Sequence, residues 1–367
     1  MAKKRFPLRF ERRDWFMEKR LRILYIGPLY FGGTCLMRFW AMKDLGHEVV
    51  PVDTEPEEIR KLKKGLFHRI KHKLLGPQDL AGTNRKIIRR VEENHFDVVW
   101  VDKGTTIKPE TISKIKNARP QMIIAHYNPD DPFGQFRYGW KTFIKSIPFY
   151  DIHFVPRRVN LAEYKRAGAR KVVFLLPFRG FYPNIHKPVQ LSKEEKNLLG
   201  GPVGFIGSYE KERAEYLLYL AEKGVPVRVW GSGWAGKRWL KHPNLRIEGR
   251  NLIGNNYAKG ICSFDIVLCF LRKGNRDLHT SRSIEIPACG AFMLAERTDE
   301  HVQLFEEGKE AEFFNTKEEM LEKVRYYLEH EDERLKIAVA GRQRCLRSGY
   351  SYQERLREML RIALDWG

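Results

Sequence analysis

The chain has 367 residues, 43% of them apolar, and carries 67 Lys and Arg against 46 Asp and Glu, a formal charge of +21. That length exceeds one ordinary core and predicts two domains, while the apolar fraction excludes a disordered chain. No apolar run reaches the roughly 18 residues of a membrane span. The N-terminal MAKKRFPLRFERRDWFMEKR lacks the apolar centre of a secretory signal, so a cytoplasmic protein is expected, soluble or peripheral at the inner face of the membrane. The charge favours anionic partners, whether lipid headgroups, nucleic acid or phosphorylated small molecules, without choosing among them. Cys35, Cys262, Cys269, Cys289 and Cys345 are scattered and lack metal-ligand spacing, which predicts free buried thiols and no metal site.

Residues 1–20 mix basic and aromatic side chains without periodicity and read as a basic arm, packed on the first domain or lying on a membrane. From Arg22 a βαβ rhythm begins: the apolar strand Ile23–Ile26, a turn with Gly27, Gly32 and Gly33, a helix from Thr34, and a strand closing on Asp53. The turn is not G-x-G-x-x-G, so its glycines mark a close backbone approach at the domain's ligand edge, the acceptor side. Residues 56–75 place Ile59, Leu62, Leu66, Phe67, Ile70 and Leu74 on one stripe among many lysines. Such a helix packs on its own core or lies in a membrane interface. The strand Met122–Ala125 ends at His126-Tyr127-Asn128-Pro129-Asp130-Asp131, where an open parallel sheet binds ligands. His126, Asp130 and Asp131 are therefore the general-base candidates, with the alternative that the two aspartates only cap a turn before Phe133. Periodicity breaks at Pro177–Pro183, and residues 21–185 form the first α/β domain, followed by a linker at 186–202.

The rhythm restarts at Val203, giving a second α/β domain over 203–348 and a closing helix over 349–367. Its informative stretch is NRDLHTSRSIEIPACG (275–290), which follows the apolar strand Asp265–Leu271 and runs into a helix capped by Thr280 or Ser281. Arg276, His279 and Arg282 can bond phosphate oxygens there, and Asp277 and Glu285 can accept from sugar hydroxyls. Phosphate donors beside hydroxyl acceptors are what a nucleotide-sugar site requires.

FIGSYEKER (205–213), VWGSGW (229–234), the run from Asn275 to Phe314 and the terminal YSYQERLREMLRIAL together resemble the C-terminal domain of glycosyltransferases with the GT-B fold. The nearest likeness is the CgeB-like group, related to the glycosyl transferases group 1 family. HYNPDDP (126–132) and LLPFRGFYPNIHKP (175–188) agree, although Tyr182 stands where that linker often has Asp. The resemblance implies two Rossmann-like domains facing across a cleft, with the C-terminal helix returning toward the first. It implies transfer of a sugar from a nucleotide-sugar co-substrate, without other cofactor, to a glycan, lipid-linked or other surface acceptor. Glu285 falls on the position that holds the ribose hydroxyls, and Asp277 on the first acid of an E-x7-E pattern near the donor sugar. His279, Thr280, Ser281 and Arg282 would line the pyrophosphate loop, Arg213 after the Gly207-Ser208 turn would reach the diphosphate, and Gly231 and Trp234 would border the base. The alternative is a polyanion- or nucleic-acid-binding protein, or a glycosyltransferase acting on nucleic acid, marked by binding that falls steeply with salt.

Overall fold

The computed structural model of the protein describes residues 20–65, 74, 76–135 and 137–366. The basic arm, except its last residue, and most of 66–75 lie outside the described residues. Of the expected 56–75 helix, Glu57–Lys64 is helical and ends at Gly65.

The first lobe runs β1 (Arg22–Gly27), α1 (Thr34–Asp44), β2 (Glu48–Asp53), α2 (Glu57–Lys64), α3 (Thr83–Glu93), β3 (Val98–Asp102), α4 (Pro109–Ala118), β4 (Ile123–Tyr127), α5 (Lys141–Ser146), β5 (Ile152–Val155), α6 (Arg158–Arg166) and β6 (Val172–Phe174). Its six strands are all parallel, in the order β2-β1-β3-β4-β5-β6. The second lobe runs α7 (Lys193–Leu199), β7 (Gly201–Ile206), α8 (Lys211–Glu222), β8 (Val227–Trp230), β9 (Leu245–Ile247), α9 (Asn255–Cys262), β10 (Phe264–Cys269), α10 (Arg282–Ala288), β11 (Met293–Glu296), α11 (Asp299–Leu304), β12 (Glu312–Phe314), α12 (Lys317–Glu329), α13 (Glu331–Arg347) and α14 (Tyr352–Leu364). Its parallel sheet has the order β12-β11-β10-β7-β8-β9.

Parallel strands covered on both faces explain the unbroken apolar runs of the sequence. Ile23 and Tyr25 of β1 join one core with Val98, Trp100, Ile123 and Ala125, under α1 and α14. Leu24 and Ile26 enter a second core with Val99, Val101 and Ile124, under α3 and α4. Each such buried side chain contributes about 1.5–3 kcal/mol, so an insertion that shifted β1 by one residue would disrupt both cores together. Asp102, at the end of β3, is fully buried and accepts from Arg38 Nε at 2.7 Å and from the Tyr25 hydroxyl at 2.7 Å. That pair ties α1 to the strand end facing the cleft.

The chain passes between lobes twice, and the two passages hydrogen-bond to each other. Phe181 N–H donates to Tyr350 O at 3.2 Å, and Tyr352 N–H donates to Phe181 O at 2.8 Å. A Cβ on Gly180 would sit 2.8 Å from Tyr350 O, so only glycine fits there. Beyond that bridge, Tyr352, Leu356, Met359 and Leu360 of α14 pack into the first lobe's core. The closing helix does return to the first lobe.

Two differences from the sequence reading have local causes. The fourth strand extends through His126 to Tyr127, so His126 pairs with Val101 and His153 inside the sheet and does not begin the loop. The polar segment before Gly200 contains α7, started by a capping box in which Ser192 Oγ accepts from Glu195 N and the Glu195 side chain answers. The S-x-x-E spacing was the available signal.

Candidate functional site

In each sheet the strand order reverses once, between β1 and β3 and between β7 and β10, and open parallel sheets bind ligands at the carboxyl ends of such strands. The loops at these ends meet across the lobes. A Cβ on Gly32 would lie 2.9 Å from Ile253 Cβ, and one on Gly254 would lie 2.8 Å from Phe31. Gln135 N–H donates to Gly274 O at 3.3 Å. Gly27 packs against Asp102, and Gly33 against Tyr30 of its own turn, so Gly32 is the glycine of this turn that faces the other lobe.

The second lobe's half of the cleft is built on the Gly207-Ser208 turn. Gly231, with φ +148, carries its Cα so close that a Cβ would fall 1.9 Å from Gly207 O. Trp234 Nε1 donates to the same carbonyl at 2.9 Å while its ring is buried beside Phe205. Gly231 and Trp234 thus shape the turn from behind. Arg213 is also a brace: its guanidinium donates to Leu271 O at 2.7 Å and to Ser208 O at 3.1 Å. Burial first, and Arg282 second, push its pKa down to about 10.

Arg282 differs from these. It begins α10 with its Cζ 5.6 Å from the Phe205 ring centroid and Nη1 3.3 Å from the place of a Gly207 Cβ. Among the described residues it has no hydrogen bond or ion pair, and its Nε is buried without a partner. Behind it, Thr280 N–H donates to Ser283 Oγ at 2.9 Å, and Ser283 Oγ bonds His301 Nε2 at 2.7 Å, which fixes the approach to the helix through Ser281. One turn further, buried Glu285 accepts from the Tyr257 hydroxyl at 2.7 Å.

Asp277 and His279 face a different set of partners. The buried Asp277 carboxylate accepts from Arg157, the residue that precedes α6, and, at 3.1 Å, from Arg179 of the passage between lobes. Arg179 also donates to His279 O at 2.7 Å. His279 Nδ1 meets Glu300 Oε2 at 2.6 Å, and its Nε2 is buried without a partner. Burial lowers its pKa, and Glu300 opposes that shift. Arg276, expected beside the phosphates, instead reaches into the first lobe, with Nε 2.6 Å from Asp131 Oδ2 and Nη2 2.8 Å from Glu163 Oε2. Its left-handed backbone, φ 52, turns it away from the start of α10.

The three first-lobe base candidates separate clearly. His126 is fully buried, bonded to His153 Nδ1 at 3.0 Å and Lys103 O at 3.2 Å, and packed on Phe143. Burial and then His153 hold its pKa well below the usual imidazole value, and the structure does not bring it to the cleft. Asp131 is buried, gripped by Arg276, and accepts from Phe133 N at 3.1 Å, the turn-capping alternative. Asp130 alone is part-exposed at the cleft, with Oδ2 2.9 Å from Lys103 Nζ.

Burial by itself would raise the Asp130 carboxyl, but the Lys103 ammonium outweighs it and holds the pKa at about 2. The folded value lies below the unfolded one of roughly 3.9, so this stabilisation is present above about pH 4 and lost as pH falls toward 2. The melting-temperature difference between wild type and Asp130→Asn is expected to stay constant from neutrality to about pH 5 and to shrink steadily below it. A difference that is level through the acid range would contradict the pairing.

Lys103, Arg157, Arg179, Tyr257 and His186 were not singled out in the sequence. Arg179 and His186 carried a signal, both inside the LLPFRGFYPNIHKP segment that breaks the rhythm. Among the described residues no cluster of His, Cys, Asp or Glu is arranged to hold a metal ion, and no helix is long and apolar enough to cross a membrane.

No curated protein matches the chain. Residues 213–361 match the family model described as glycosyl transferase-like. Among solved structures, HepE from Anabaena in complex with UDP-glucose has 13% identity and a TM-score of 0.60, over 93% of this chain and 99% of that one. A glycosyltransferase from Rickettsia africae has 14% identity and a TM-score of 0.63, over 95% and 98%. Sucrose-phosphate synthase from Thermosynechococcus elongatus has 11% identity and a TM-score of 0.62, over 94% and 98%. The structures share the fold, two facing parallel α/β lobes, and the family model falls on the lobe that carries Arg213, Arg282 and Glu285. The chain has the two-lobed GT-B fold of these structures, and residues 213–361, most of its second lobe and the closing helix, match the glycosyl transferase-like family model.

Proposed function

We propose that the enzyme takes its sugar from a nucleoside diphosphate-sugar held by the second lobe and passes it to an acceptor hydroxyl presented by the first. The observation that carries this reading is Arg282, a partly buried guanidinium at the Gly207 turn with its Nε unpartnered. Leaving a cation uncompensated in such a place is costly, and a diphosphate would compensate it. As the bond from sugar to phosphate breaks, charge builds on the leaving diphosphate. A guanidinium fixed against Phe205 stabilises that charge without reorganising. Glu285 is the acceptor for the ribose hydroxyls. HepE, which shares the fold, is known in complex with UDP and with UDP-glucose, which supports the same donor class here.

On the first lobe, Asp130 is the carboxylate that meets the acceptor, with Gly32 allowing the loop to approach the second lobe. Glycans, lipid-linked sugars and other surface polymers are acceptors compatible with the basic surface. A thermal-shift screen of UDP-, GDP- and ADP-sugars tests the donor class, since a ligand bound only by the folded state raises the melting point by mass action. One nucleotide series is expected to stabilise the protein. Failure of every series at millimolar concentration would remove the reading.

A further inference from the structure

Glu285 sits between two groups that the glycosyltransferase reading leaves without a role. Tyr257, on α9, donates its hydroxyl to Glu285 Oε2 at 2.7 Å. His186, from the passage between lobes, places its Nε2 3.8 Å from Glu285 Oε1. The hydrogen-bond pattern fixes the tautomer of that histidine. Tyr182 N–H donates to His186 Nδ1 at 2.9 Å, so Nδ1 is the bare acceptor and the neutral ring carries its proton on Nε2. Burial lowers the His186 pKa, with Glu285 opposing, in keeping with a neutral ring. The Nε2–H is buried without a hydrogen-bond partner, and the group it faces is the carboxylate. The Tyr257 and His186 rings meet edge to face at 5.7 Å, so each holds the other in place.

A carboxylate offers about four lone-pair sites, two on each oxygen. Tyr257 takes one on Oε2 and His186 faces one on Oε1, which leaves one on each oxygen. Two parallel acceptor sites about as far apart as the two carboxylate oxygens suit a pair of neighbouring hydroxyls. We propose that Tyr257 and His186 are positioning residues that hold Glu285 for a vicinal diol, and so make the site select ribonucleoside over 2′-deoxyribonucleoside diphosphates. The inference rests on the donor-site reading above and adds to it the source of sugar selectivity. Without the Tyr257 hydrogen bond and the His186 Nε2–H that faces Oε1, the carboxylate is no longer held for two hydroxyls at once.

The test measures dissociation constants by calorimetry for UDP and dUDP, with GDP and dGDP or ADP and dADP in their place if the screen selects another base. Tyr257→Phe keeps the ring contact with His186 and removes only the hydroxyl. It is expected to weaken the ribonucleotide about tenfold, the scale of one hydrogen bond to a charged group, and to leave the deoxynucleotide within about twofold. In turnover the loss is expected in KM for the donor, with kcat retained at saturation. His186→Asn keeps an acceptor for Tyr182 N–H, loses the Nε2 donor, and is expected to give the same pattern. Equal weakening of both nucleotides, or of neither, while Glu285→Ala still loses ribonucleotide binding would overturn the positioning role and leave the donor site standing. Undiminished ribonucleotide binding by Glu285→Ala would overturn the donor-site reading, and the positioning role with it.

Discussion

Arg282→Ala is expected to lower kcat/KM for the donor by about 10²–10³-fold while the melting temperature stays within a few degrees of wild type. The two halves of that result have separate causes. The guanidinium forms no hydrogen bond or ion pair among the described residues, so its removal breaks no tertiary contact beyond the Phe205 face. What is lost, on the proposed function, is the charge that meets the leaving diphosphate. Arg282→Lys restores the charge as a point and not as a planar fork, and it lacks reach toward two oxygens at once, so partial recovery is expected. Arg213 gives the contrasting case on the same turn. Its nitrogens are committed to Ser208 O and Leu271 O, so its truncation is expected to cost stability together with activity. Unchanged kcat/KM in Arg282→Ala, measured with a saturating acceptor, would show that the diphosphate lies elsewhere.

Asp277→Ala is expected to destabilise the protein by about 3–5 kcal/mol, the usual cost of removing one partner from a buried ion pair. The side chain is nearly inaccessible, and Arg157 and Arg179 converge on the same Oδ1 oxygen from the first lobe and from the passage between lobes. Removing the carboxylate leaves two guanidiniums buried side by side. The position matches the acid that the family places near the donor sugar, and the two roles make different predictions. A pure sugar contact would lower turnover without moving the denaturation midpoint. The geometry predicts a large shift in midpoint, and Asp277→Asn, which keeps the shape without the charge, is expected to recover little of it.

The alternation of strand and helix was legible because every central strand is buried on two faces and reads as an apolar run. The loop proposed to hold the nucleotide stood out for a related reason: phosphate and hydroxyl chemistry needs particular side chains within a few residues, and Arg282 and Glu285 offer them three residues apart. The first-lobe candidates and Arg276 were legible only as residue types. Asp131 pairs with Arg276 across 145 positions, and Asp277 pairs with Arg157 across 120. Nothing in local spacing reveals such pairs, so groups that hold the lobes together looked like groups free for chemistry. His126 failed through a smaller error. Two more residues of strand, His126 and Tyr127, carried its ring into the core in place of the loop.

The bridge from Phe181 to Ser351 has a mechanical consequence. Two strands crossing side by side at one place act as a torsion bar, which leaves twist about their common axis as the soft motion and resists sliding of one half past the other. The Arg276 clasp on Asp131 and Glu163 lies close beside that bar, since the next residue, Asp277, is held by Arg179 of the passage, so ion pairs reinforce the backbone joint. Salt is expected to loosen the part-exposed Arg276 end of that joint more than the buried Asp277 pairs.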